Sequence, residues 1–92
     1  MRIEEYRKAI DDIDDQLLQL LSKRARLALQ IGMEKFERRI SVLASKREKE
    51  IFERLYRLNQ GPLQEQHIRE IFTAIIDTSK NLQHLYQSFE DV

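Results

Sequence analysis

The chain has 92 residues and a mass of 11.1 kDa, is 41% hydrophobic and 35% charged, and so describes one small soluble domain, residues 1–92, with no length left for a second. Sixteen Lys and Arg cancel sixteen Asp and Glu, which excludes a general electrostatic attraction to nucleic acid or to an anionic membrane surface and makes any anion binding local. No run approaches the ~18 apolar residues of a spanning helix, Met1-Arg2-Ile3-Glu4-Glu5 turns acidic where a secretion signal would turn apolar, and there is no Cys, so a cytoplasmic protein is expected.

Two Gly and one Pro leave few places for turns, and the helix formers Leu, Glu, Gln, Lys and Arg fill the rest. The expected fold is all-α with three helices, one long, one short and one medium, over roughly 2–39, 45–59 and 64–88. In the first helix Ile3, Ile10, Leu17 and Ile31 share one row, and Tyr6, Ile13, Leu20 and Leu27 the row beside it, a coiled-coil-like seven-residue rhythm. Such a helix is ~55 Å long, whereas a compact domain of this size has a radius of gyration of only ~12 Å. Two shorter helices shelter part of the seam, and a second copy supplying the rest predicts an intertwined helical homodimer. Gly32 is a possible early stop, but Met33, Glu34, Lys35 and Phe36 carry the helix on.

A break is expected near Ile40-Ser41, where Val42 and Leu43 interrupt the polar rhythm. The second helix opens Ser45-Lys46-Arg47-Glu48, which fits a capping box and so provides Glu48 with a structural role, and Ile51, Phe52, Leu55 and Leu58 form its apolar stripe. Asn59-Gln60-Gly61-Pro62 ends it. On the third helix Ile68, Phe72, Ile75 and Ile76 lead into Ser79, Leu82 and Gln83 along one face. Ser79 and Gln83, one turn apart, are either plain solvent-exposed groups near a helix end or a polar pair with a task.

Charge interrupts the apolar rows at informative places. Arg24 takes the slot between Leu17 and Ile31, while Arg7 and Lys35 sit on the adjacent row with Asp14, Leu21 and Ala28. A cation in a seam needs a partner, because a buried unpaired charge costs several kcal/mol. Either the heads reach water or pair with Asp14 or Glu48, or an anionic ligand is the partner. Arg24 and Lys35 lie on nearly one face, ~16 Å apart, and Arg7 is ~25 Å from Arg24, so Arg7 reaches the same ligand only from a second, antiparallel copy.

Asp11-Asp12-Ile13-Asp14-Asp15 matches the short aspartate-rich pattern of prenyl-diphosphate enzymes. Those need a larger helical cavity and further acidic ligands for magnesium, and the run reads better as a solvated face beside Lys8. His67 and His84 lack a partner pattern and read as surface residues, and no metal or cofactor is expected. Chemistry falls to Arg, Lys, carboxylates and amides.

The sequence resembles the all-helical chorismate mutase family along nearly its whole length. Arg7-Lys8-Ala9-Ile10-Asp11-Asp12-Ile13-Asp14-Asp15-Gln16-Leu17-Leu18 resembles the family's first-helix signature. Arg24 in Leu21-Ser22-Lys23-Arg24 and Lys35 in Ile31-Gly32-Met33-Glu34-Lys35 fall where the family places its Arg and Lys. Arg47-Glu48 matches its Arg-Glu pair, and Ser79 with Gln83 its polar pair on the third helix.

The resemblance implies the [3,3] rearrangement of chorismate to prephenate in a dimer with two shared active sites. Arg7 from the other chain, Arg24 and Arg47 would hold the substrate carboxylates. Lys35 and Gln83 would donate to the ether oxygen, Glu48 would receive the ring hydroxyl, and Ser79 would assist near a carboxylate. Two departures concern the lid and the hydroxyl: Ala44 stands where the family usually carries Asp, and the preceding linker lacks the family's frequent Pro. Isochorismate pyruvate-lyase chemistry or rearrangement of an amino analogue of chorismate would use the same cations. A non-catalytic helical dimerisation module would explain the rhythm but not Arg24 and Lys35. The start at Met1 and the polar finish are compatible with a complete small enzyme, with a regulatory partner of another enzyme, or with a piece of a fusion.

Overall fold

The computed structural model describes residues 2–42 and 44–90. Three helices and no strands are found among them: α1 (Arg2–Glu37), α2 (Ser45–Leu58) and α3 (Glu65–Glu90). Gly32 does not stop α1. The helix ends two residues before the expected boundary because the chain turns back at Arg38 and Arg39. Arg39 enters the left-handed region (φ 56°), its N–H donates to Phe36 O at 3.2 Å, and Ile40 N–H reaches back to Lys35 O at 2.8 Å. That bond pattern closes a helix around a left-handed residue, a place usually given to Gly. Leu43, expected at this break, lies outside the described residues.

The expected capping box does not form. Ala44 is the N-cap, with no side-chain cap hydrogen bond, and Glu48 N–H donates to Ala44 O at 2.9 Å. Starting the helix at Ser45 places this serine inside the first turn, where its hydroxyl cannot serve as the cap acceptor, and Glu48 turns to a different partner. At the other end Asn59 organises the connection: its side chain accepts from Gly61 N–H at 3.0 Å and donates to Leu63 O at 2.6 Å. Gly61 has φ 78°, which suits a residue without Cβ. His67 is half-buried rather than a free surface residue, since its Nδ1 accepts the Gln64 N–H at 3.0 Å where α3 begins.

α3 is the hub, packing along α1 on one side and against α2 on the other. Ala28, Val42, Ile51, Ile68 and Ile76 form the buried core, and burying a valine or isoleucine side chain stabilises by roughly 1.5–3 kcal/mol. Leu58, expected in the α2 stripe, is instead 65% exposed, although just before it α2 stays tied to the start of α3, where Arg69 Nε donates to Tyr56 Oη at 3.2 Å. The molecule measures 55 × 27 × 15 Å with a radius of gyration of 16.5 Å. Its length comes from α1, every residue of which from Arg2 to Lys23 is exposed, Ile3, Ile10, Ile13 and Leu17 among them. Asp11, Asp12, Asp14 and Asp15 are exposed as a solvated face would be. No described helix is long and apolar enough to cross a membrane.

Candidate active site

Where the C-terminal half of α1 meets α3 and the start of α2, the packing leaves a cleft of about 280 Å³. Its apolar floor comes from residues such as Ala28, Ile31, Ile51 and Ile76. Six of the seven residues singled out from the sequence line it: Arg24 and Lys35 from α1, Arg47 and Glu48 from the first turn of α2, Ser79 and Gln83 from α3. Arg7 does not. It lies at the exposed end of α1, paired with Glu4 at 3.0 Å.

Five of these six polar groups are held by specific partners. Arg24 Nη1 donates to Ser79 Oγ at 2.5 Å, and Ser79 Oγ in turn donates to Ile75 O at 3.1 Å. The serine therefore orients the guanidinium and is itself aimed by the helix backbone. Neither Asp14 nor Glu48 takes that place. Burial of the Arg24 guanidinium, and after it the nearby positive charges of Arg47 and Arg54, pushes its pKa below the usual arginine value. A cation crowded by other cations in a half-buried setting is matched by an incoming anion.

Gln83 is not the exposed helix-end residue that the sequence left open. It is 6% exposed, and its Nε2 donates to Ala28 O at 2.9 Å across the α1–α3 interface. One amide hydrogen is used there and the second remains for the cleft. Lys35 Nζ reaches Val42 O at 3.3 Å, which ties the connection after α1 to the rim. Glu48 pairs with Lys80, Oε1 to Nζ 2.8 Å, with both side chains 29% exposed. This hydrogen bond, more than the surrounding charges, raises the Lys80 pKa above the ordinary lysine value.

Lys80 was not anticipated, although Ile76, Lys80 and Gln83 follow the i, i+4, i+7 spacing of one helix face. With it the lining, among the described residues, carries Arg24, Lys35, Arg47 and Lys80 against the single carboxylate Glu48. Among the described residues no group of three or more His, Asp or Glu could hold a metal ion. Hydrogen-bond donors and fixed positive charge over an apolar floor suit a small anion.

The profile of the family "Chorismate mutase type II" matches residues 6–84. This chain belongs to that family. The bifunctional chorismate mutase/prephenate dehydratase of Aquifex aeolicus is 38% identical over 92 aligned positions, which cover 91% of this chain and 25% of that protein. The chain thus spans about a quarter of the length of this curated relative. Among solved structures, chorismate mutase (form II) from Thermus thermophilus superposes with a TM-score of 0.89 at 34% identity, covering 91% of this chain and 96% of the other. Chorismate mutase from Helicobacter pylori, solved in complex with prephenate, has a TM-score of 0.86 at 29% identity, covering 94% and 93% respectively.

Proposed function

We propose that this chain, as a single cytoplasmic domain, catalyses the isomerase reaction of its family, chorismate to prephenate, in a cleft completed by a second copy. In the rearrangement the ether carbon–oxygen bond breaks while a carbon–carbon bond forms, with no net proton transfer and no covalent intermediate. Catalysis then reduces to two physical tasks. The flexible dicarboxylate must be held compact with its reacting carbons together, and negative charge growing on the ether oxygen must meet donors already in place. Arg24, aimed by Ser79, takes one carboxylate and Arg47 stands beside it. Lys35 and the free N–H of Gln83 serve the ether oxygen, and Glu48 accepts the ring hydroxyl.

The observation that carries this reading is the convergence of those six side chains from three helices on one cleft. Purified protein incubated separately with chorismate and isochorismate, with products identified by NMR against protein-free controls, tests it. Prephenate from chorismate at an enzymatic rate is expected. Pyruvate from isochorismate without prephenate would move the chain to lyase chemistry.

The second copy is supported by area. The chain exposes 7936 Å², whereas a compact monomer of this mass exposes only ~5,700 Å². An excess of roughly 2,000 Å² per chain is what a large obligate homodimer interface removes. The exposed rows of α1 lie where such a partner would cover them, and an antiparallel crossing brings Arg7 of the partner subunit to the Arg24–Lys35 stretch. Mixing Arg7→Ala with Lys35→Ala chains tests the sharing: half the dimers are hybrids with one intact site each, so about a quarter of wild-type activity returns. Two inactive parents that stay inactive on mixing would show that Arg7 does not serve the site of the other chain.

A further inference from the structure

Among the described residues, the Lys80–Glu48 pair is the one strong interaction in the cleft that the reaction does not require. It joins α3 to α2 at 2.8 Å, inside the lining, with both side chains sheltered to the same degree. Asp77, the other carboxylate near Lys80, is more distant at 3.8 Å and more exposed, so Glu48 is the principal partner. The pair leaves Glu48 one oxygen free and a net local charge near zero. That distinction matters for the group a substrate presents there. A neutral hydroxyl needs only an acceptor oxygen, which remains. A cationic amine is drawn to an uncompensated carboxylate, and here it meets an ammonium that has already compensated it.

We propose that Lys80 is a specificity-determining residue: by neutralising Glu48 it makes this end of the cleft select a ring dicarboxylate bearing a hydroxyl over the same skeleton bearing an amine. The inference rests on the reading of the cleft as a chorismate site with Glu48 at the ring hydroxyl. It assigns discrimination to a repulsive element beside an attractive one, the usual way of separating two similar ligands. Ala44 fits the same picture, because a second carboxylate at that position of the lining would restore the negative charge that Lys80 removes.

The experiment uses the full chain as wild type, Lys80→Met and Lys80→Gln, each also combined with Glu48→Gln. For each, kcat/KM is measured for chorismate and for its amino analogue, together with the inhibition constant of the analogue against chorismate. Removing the ammonium is expected to shift the ratio of the two substrates about tenfold towards the amine, with no such shift in the Glu48→Gln background. An equal loss on both substrates, leaving the ratio unchanged in both Lys80 variants, would make the pair a mere fastening of α2 to α3 and overturn the inference alone. Wild-type protein that does not turn over chorismate would overturn the function itself, and the inference with it.

Discussion

Gly32 and Gln83 meet across the α1–α3 interface so closely that a Cβ on Gly32 would stand 2.9 Å from Gln83 Cγ, 3.1 Å from its Cβ and 3.2 Å from its Cα. The missing side chain makes a notch in α1, one turn beyond Ala28, and the glutamine enters it to reach the Ala28 carbonyl. Gly32→Ala sets two effects against each other. Alanine gains ~1 kcal/mol of helix propensity, but overfilling a packed contact costs ~1–3 kcal/mol. The obstructing atoms include α3 backbone, so the strain is expected to win, lowering the melting temperature by about 4–8 °C. Displacing the amide should also reduce kcat by about tenfold to a hundredfold. Unchanged kcat in a folded variant would detach Gln83 from the chemistry.

Lys35→Ala removes the donor proposed for the ether oxygen and one hydrogen bond to Val42 O. The rate should fall by ~10²–10³, while a bond at 3.3 Å on a half-buried side chain contributes little to stability. Steady-state kinetics beside a circular-dichroism melt measures both. Near-normal turnover from a folded protein would remove Lys35 from the mechanism.

Turnover is expected to be nearly flat from mildly acidic to neutral pH. Gln83 donates without titrating. The raised Lys80 pKa means that the folded state binds this proton more tightly than the unfolded chain, so the stabilisation is fully present below the ordinary lysine value and is lost only as pH rises through the folded one. Arg24 moves oppositely: its lowered pKa, from burial first, makes its charge a cost to folding that persists through neutral pH. Neither change falls between about pH 6 and 8. A rate that climbs steeply towards acid would require a titrating donor in place of the amide.

Ala44→Asp should stabilise the fold. Ala44 is the N-cap of α2 without any side-chain acceptor, and its φ of −145° and ψ of 58° already lie outside the helix. A carboxylate there can accept from Lys46 or Arg47 N–H, an exchange that typically gains ~0.5–2 kcal/mol over alanine. Thermal melts of both proteins decide it, and an unchanged midpoint would show that the side chain does not reach those donors.

Much of this architecture was legible because periodicity reports which face a residue occupies. The row Ile68, Phe72, Ile75, Ile76 placed Ser79 and Gln83 on the packed side of α3, and Gln83 is buried there. Arg24 and Lys35 stood out because cations are costly where aliphatic residues belong. Local motifs were less informative. Ser45 to Glu48 has capping-box spacing, yet Glu48 is drawn to Lys80, a residue 32 positions further on that no short window contains. Arg39 shows the same limit, since a left-handed arginine has no signature of its own. Leu58 continues the stripe of α2 by spacing, yet it is exposed at the helix end, where periodicity does not tell whether a neighbour is present. Lys80 shares the face of Ile76 and Gln83 by spacing, but a lone lysine on a long helix usually points to water, so spacing alone does not mark it.

The uncovered stretch of α1 from Arg2 to Lys23 has a consequence for how the protein behaves as a population of molecules. Twenty-two residues with no cover from their own chain add little stability by themselves, since most helical stability comes from packing, which in the proposed dimer a second copy supplies. In that proposed dimer folding and association become one bimolecular equilibrium, whose midpoint moves with the amount of protein present. Dilution acts on such a chain as a mild denaturant, and because the same event would carry Arg7 to its neighbour's cleft, activity per molecule falls along with the fold.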